Sequence, residues 1–282
     1  MGQSMAKKLL GPETELYVYN RTKGKASELV SLGAIWKDTP EDVASSADIT
    51  FTIVGYPKDV REVYLGNQGI IQGASEGKIF VDMTTTEPSL DIEISEVLKE
   101  KGALLADAPV SGGDKGAREG TLSIMVGAEK HVFEAILPYL RKMGTNIQHM
   151  GNVGAGQHTK MANQIVIAGT MAGVSEALVY GKKAGLDLEA MVSTISKGAA
   201  GCWTLDNLAP RVLRGDLEPG FMVDHFIKDM TIALKEADQM KLPLPSLSLT
   251  RELYKALSAS GNGRKGTQAL TMVIGKLAAE ER

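Results

Sequence analysis

Up to about Met150 the chain alternates short β-branched runs with amphipathic stretches, the pattern of a parallel sheet covered by helices. Strands are predicted over 16–19, 49–54, 78–83, 103–108, 122–126 and 146–149. Helices are predicted over 23–32, 89–101 and 131–143, the last stopping at Gly144. From Gly156 onward helical periodicity takes over, with breaks at Gly185, 198–201, Pro210, Pro219-Gly220 and 243–245. The pattern therefore divides the chain into an α/β domain, residues 1–152, and an all-α domain, residues 153–282, joined at a glycine-rich hinge over 151–156.

Composition narrows the picture without naming a function. A chain of 282 residues with 43% apolar content can bury the cores of two domains. Its net charge is −3 and its basic residues are dispersed, so no nucleic-acid partner is expected. Gly2 is followed by Ala6 where a myristoylation signal carries Ser or Thr. The apolar run 165–174 is too short to span a bilayer and reads as a buried helix, so no membrane segment is expected. One cysteine, Cys202, excludes an internal disulfide and fits a reducing, cytoplasmic setting. His131, His149, His158 and His225 lack metal-ligand spacing, and no metal is expected.

The start of the α/β half carries part of a dinucleotide fingerprint. That signature runs strand, GxGxxG, helix, second strand, then a residue that reads the ribose about 20 positions later. Here Gly2 opens a helix with Met5, Leu9 and Leu10 on one face, a strand follows, and Asn20-Arg21-Thr22 stands where the ribose reader belongs. This is an α/β Rossmann-like arrangement whose first strand and first two glycines are missing from the chain. In the doubly wound order that strand lies mid-sheet, so its loss leaves a slot of nearly 10 Å, two strand spacings of about 4.8 Å. Upstream residues carrying a strand and a GxG turn, or some other filler, are expected to occupy it. With no Asp at the ribose position, Arg21 can pair with a 2′-phosphate, which favours NADP over NAD. The same turn also reads as a polar strand-to-helix turn with Thr22 as the helix N-cap, and the two roles are compatible.

Two further segments carry chemistry on their own terms. Gly154 and Gly156 permit a tight entry turn, after which Lys160 falls in or near the first turn of a helix continued by the apolar run. Burial and the positive helix end would lower the lysine pKa toward the working range of an acid/base catalyst. Asn163 and Gln164, three and four residues on, share its face and can orient it or bond a substrate oxygen. Ser111-Gly112-Gly113 follows a strand end, and its successive N–H groups can form a nest for a carboxylate. The Ser111 hydroxyl has no His or Asp partner at a recognisable spacing, which argues against hydrolysis.

Three motifs in order, Asp107-Ala-Pro-Val-Ser-Gly-Gly113, Gly154-Ala-Gly-Gln-His-Thr-Lys-Met-Ala-Asn-Gln164 and Phe226-Ile-Lys-Asp229, resemble the 3-hydroxyisobutyrate dehydrogenase (β-hydroxyacid dehydrogenase) family. The resemblance runs from Gly2 to near the C-terminus. It implies hydride transfer between a nicotinamide cofactor and a small 3-hydroxy acid or its semialdehyde, in a homodimer or homotetramer. It further implies Lys160 and Asn163 at the reacting oxygen, with Ser111, Gly112, Gly113 and Gln164 on the substrate. Val54, Tyr56, Pro57 and Thr85 are similar to segments that flank the nicotinamide and its ribose, and Lys228 matches a second lysine beside the cofactor. By itself Lys228-Asp229 would look like a solvated charge pair. A catalytically silent cofactor-binding or scaffold protein of the same fold is the alternative reading. The decarboxylating phosphogluconate dehydrogenases have His three residues after the lysine, where this chain has Asn163.

Overall fold

The structure is a computed structural model and describes residues 1–12 and 14–279. The chain packs as two units, Met1–Lys160 and a second that begins at Met161. This division falls inside a helix. The glycine-rich segment expected as a hinge instead forms the turn that opens that helix, with Gly151 at φ 132° and Gly154 at φ 93°.

The first unit opens with α1 (Gly2–Leu9), β1 (Tyr17–Val18), α2 (Ser27–Ser31), β2 (Ile35–Trp36), α3 (Pro40–Ser46) and β3 (Ile49–Thr52). It continues through α4 (Pro57–Leu65), α5 (Ile70–Gly73), β4 (Ile79–Asp82), α6 (Pro88–Lys99), β5 (Leu104–Asp107), β6 (Val110–Ser111), α7 (Gly113–Glu119), β7 (Leu122–Gly127), α8 (Lys130–Met143) and β8 (Gly144–Gly151). Local chemistry sets several starts. Thr39 accepts from the Asp42 amide while Asp42 accepts from the Thr39 amide, a capping box with Pro40 at the first helical position. Strands β3, β4 and β5 pair in parallel, with Asp82 level with Asp107. Every residue of β4 is buried, as a strand covered on both faces requires. At the far side β7 pairs antiparallel to β5 and β6 and parallel to β8.

β1 and β2 form a separate two-stranded parallel sheet. Between β1 and β3 lies a cavity of about 1300 Å³, lined by 14–22 on one side and 46–55 on the other, with Met5, Leu9, Tyr139 and Met143. The slot expected from the absent strand is therefore present as open volume between two strands that each pair on one edge only.

The helix α9 (Ala155–Lys183) begins in the first unit and continues into the second. It is longer than the 165–174 run predicted, and by length and composition alone it could cross a membrane. Its apolar residues have another use. Met161, Ala168, Met171, Val174 and Leu178 lie in the core of the second unit, with Phe226, Met230, Tyr254 and Leu270. That unit contains α10 (Leu188–Ile195), α11 (Trp203–Asn207), α12 (Ala209–Leu213), α13 (Val223–Gln239), α14 (Pro245–Leu257) and α15 (Thr271–Leu277). Tyr254 packs edge-on to Phe226 at 5.1 Å between ring centroids and donates its buried hydroxyl to the Thr267 carbonyl at 2.8 Å.

Candidate active site

In the first unit, Gly2, Asn20, Arg21, Thr22 and Val54 all line the cavity between β1 and β3. A Cβ on Gly2 would stand 2.8 Å from Ile53 Cγ2, so glycine lets the start of α1 approach the end of β3. Asn20 donates to the Thr22 carbonyl at 2.8 Å and closes the turn after β1. Thr22 does stand at the N-cap of a 3₁₀ turn, but its side chain makes no capping bond. The Arg21 guanidinium is exposed and lies 3.3 Å from Asp59, whose other carboxylate oxygen accepts from the Tyr56 amide. Asp59 thus ties the ribose turn to the first turn of α4, where Pro57 takes the first helical position. The Val54 amide donates to Thr84 Oγ1 at 3.0 Å, linking the ends of β3 and β4. Tyr56 and Thr85 stand on the loops after these strands and Pro57 opens α4, all three outside the cavity lining.

Gly112 and Gly113 adopt φ of 126° and 62°, the left-handed region that side chains other than glycine rarely take. They turn the chain from β6 into α7 beside the half-buried Ser111. The most constrained group in this unit is Asp107, at the end of β5. Its two oxygens accept from the Gly154 and Gln157 amides, each at 2.7 Å, so one carboxyl group caps the start of α9. Burial, the largest influence, lifts this carboxyl to about 7 in spite of those donors. Gln157 uses its whole amide: it donates to the Thr84 carbonyl at 2.7 Å and to Asp91 at 2.9 Å, and accepts from the Thr86 amide at 3.1 Å.

Lys160 is one turn beyond Gln157 on the same buried stripe and is 6% exposed. The helix begins at Ala155, which puts the lysine in the second turn and not the first. The helix-end field fades within one turn.

In the second unit, Asn163 donates to Gln164 Oε1 at 2.7 Å, Gln164 donates to Asp229 at 2.6 Å, and Lys228 Nζ lies 3.0 Å from the other Asp229 oxygen. Asp229 is buried and the Lys228 side chain nearly so. The isolated reading of Lys228-Asp229 as a solvated charge pair is corrected by this chain of bonds. Sequence reasoning passed over Asp59, Asp91, Asp107 and Gln157 as functional groups. Of these, only Asp107 had a local signal, an acid at a strand end just before the Ser-Gly-Gly turn.

The two units match two family models. Residues 1–151 match the NAD binding domain of 6-phosphogluconate dehydrogenase. Residues 154–274 match the model described as NAD-binding of NADP-dependent 3-hydroxyisobutyrate dehydrogenase. The chain is 54% identical to the uncharacterized oxidoreductase YkwC of Bacillus subtilis (strain 168), over 96% of this chain and 94% of that one. It is 45% identical to a probable mitochondrial 3-hydroxyisobutyrate dehydrogenase-like protein of Arabidopsis thaliana, over 98% and 83%. A solved 3-hydroxyisobutyrate dehydrogenase of Mycobacterium tuberculosis, described with L-serine, superposes with a TM-score of 0.89 at 26% identity, covering 97% and 95%. An α/β domain followed by a helical domain, matched to these models and relatives, makes this an NAD(P)-dependent oxidoreductase of the hydroxy-acid dehydrogenase class. The chain belongs to the 3-hydroxyisobutyrate dehydrogenase family.

Proposed function

We propose that this protein uses NADP, with NAD as a second cofactor, to interconvert a small 3-hydroxy acid and its semialdehyde of the 3-hydroxyisobutyrate or tartronate semialdehyde type. The observation that carries the reading is a lysine buried to 6% exposure on a helix whose preceding turn is clamped by Asp107 and Gln157. The cavity residues fit the cofactor: Gly2 brings a helix start against a strand end, and the exposed Arg21 is available to a 2′-phosphate. When bound, the cofactor would supply or accept the hydride at its nicotinamide, flanked by Val54, Tyr56, Pro57 and Thr85. In reduction the Lys160 ammonium donates its proton to the oxygen becoming an alkoxide, and in oxidation the neutral amine takes it back. Asn163 holds that same oxygen, with its amide oriented by Gln164. The turn Ser111-Gly112-Gly113 offers backbone N–H groups to the substrate carboxylate, and Lys228 is assigned to the cofactor on the family resemblance.

A homodimer or homotetramer in the cytoplasm belongs to the same proposal. Its support is the outer face of α9, where Val166 and Tyr180 are 64% and 73% exposed and Gly169 and Gly173 have open space around them. The test of the chemistry is Lys160→Ala, assayed with 3-hydroxyisobutyrate, glycerate and 4-hydroxybutyrate and both cofactors. Turnover is lost while saturable NADPH binding, followed by nicotinamide fluorescence, persists. Near-normal turnover removes this lysine from the reaction.

A further inference from the structure

Three carboxyl groups are buried together where β4, β5, α6 and α9 meet. Asp82 and Asp107 end adjacent strands in register, and Asp91 faces them from α6; none of the three has solvent-exposed surface. Among the described residues no group of three acidic, histidine or cysteine side chains is arranged to hold a metal ion. Asp107 is saturated by the amides that begin α9. Asp82 Oδ1 accepts from the Thr84 amide at 2.9 Å, and Asp91 Oδ2 accepts from the Gln157 side chain. One oxygen of each carboxyl remains without an N–H donor, Asp82 Oδ2 and Asp91 Oδ1. The two carboxyl groups are gathered at one point, because Asp82 bonds the Thr84 amide while the Gln157 amide nitrogen bonds both the Thr84 carbonyl and Asp91. Two carboxylates cannot bond without a proton between them, and a buried pair of bare anions is strongly disfavoured.

We propose that Asp82 and Asp91 hold one proton between them, and that this acid pair, acting through Gln157, positions the first turn of α9 and with it Lys160. Asp91 is the donor: Asp82 is held by the Thr84 backbone amide, which favours its charged form, whereas Asp91 accepts only from the Gln157 side chain. The protonated Asp91 donates to Asp82 Oδ2 and still accepts from Gln157, whose amide also grips the loop after β4 at Thr84 and Thr86. The other titratable groups facing the pair are Asp107 from β5 and Tyr64 from α4, while α9 presents the neutral Gln157. Asp91, Asp82 and Gln157 are positioning residues. The last step, to Lys160, rests on the function proposed above.

Asparagine is a close copy of a protonated aspartate, which gives the test its logic. In Asp91→Asn the amide donates to Asp82 and the carbonyl accepts from Gln157. In Asp82→Asn the amide donates to an ionised Asp91. With both replaced, one amide nitrogen must face another N–H donor. Each single variant therefore unfolds within about 3 °C of the parent, while the double variant falls well below the sum of the two. Burial raises both carboxyls, Asp82 to about 7, so their stabilisation is complete below about pH 4 and is lost as pH rises through about 7 and beyond. Melting followed from about pH 5 to about pH 9 shows that decline in the parent and a shallower one in Asp91→Asn. In activity, Asp91→Ala lowers kcat about tenfold or more with the cofactor KM unchanged, and Asp91→Asn recovers it. Additive melting shifts, or an unaltered pH slope in Asp91→Asn, overturn the shared proton. Parental kcat in Asp91→Ala overturns the positioning role. Full activity in Lys160→Ala strikes the proposed function alone and leaves the melting results to decide the acid pair.

Discussion

Asp107→Ala tests how the helix bearing Lys160 is held. The carboxylate receives two short bonds from the first amides of α9, and nothing else in the helix can serve them because the first N–H groups of a helix have no internal partners. The site is also tight. A Cβ on Gly127 would lie 2.2 Å from Asp107 Oδ1, and one on Gly156 would lie 2.7 Å from Oδ2. Removing the carboxylate leaves two buried N–H groups unsatisfied at about 1–3 kcal/mol each, or about 2–6 kcal/mol together. Relief from burying the acid offsets part of this, which places the net loss in the lower half of that range. For a chain of this size that is a fall in Tm of roughly 5–12 °C. Thermal unfolding by circular dichroism measures the loss, and amide hydrogen exchange at Gly154 and Gln157 shows where it acts, as faster exchange at those two sites. A melting temperature within about 2 °C of the parent, with both amides still protected, would refute the assignment of Asp107 as the helix anchor.

Two other substitutions separate cofactor choice from packing. Arg21→Ala weakens NADPH binding about tenfold while changing NADH binding little, read from fluorescence titrations, because a 2′-phosphate loses one charge-assisted partner; equal effects on both cofactors would remove Arg21 from the discrimination. Gly127→Ala drives a methyl group into Asp107 Oδ1, the Asn152 carbonyl and the Gly156 amide, and should cost about 3 kcal/mol or more in urea unfolding, since backbone on two sides cannot yield.

The legible parts of this fold were those with enough residues to show a period. The strands at 49–54, 78–83, 103–108 and 122–126 appear within one or two residues of their predicted ends. β2 and β6 are two residues each and too short to alternate. α3 went unread although Thr39-Pro40 with Asp42 is a complete N-terminal signal, and α4 has the same Pro57 and Asp59 spacing. At the site, Lys160 and its glycine turn were visible because their spacing is local. Asp82, Asp91 and Asp107 were not, because a carboxyl group becomes a buried acid only when distant segments close over it. Gln157 looked like one polar residue among several. Its role depends on Thr84, Thr86 and Asp91, more than sixty positions away.

The gap between β1 and β3 has a consequence for how the α/β domain holds together. An ordinary exposed sheet edge accepts another sheet laterally and so invites aggregation. Here the open edges of β1 and β3 border one cavity, which Met5, Leu9, Tyr139 and Met143 also line. Among the described residues the α/β sheet is therefore broken in two at this point, and the two margins are tied together by the side chains around the cavity and not by a shared ladder of backbone bonds.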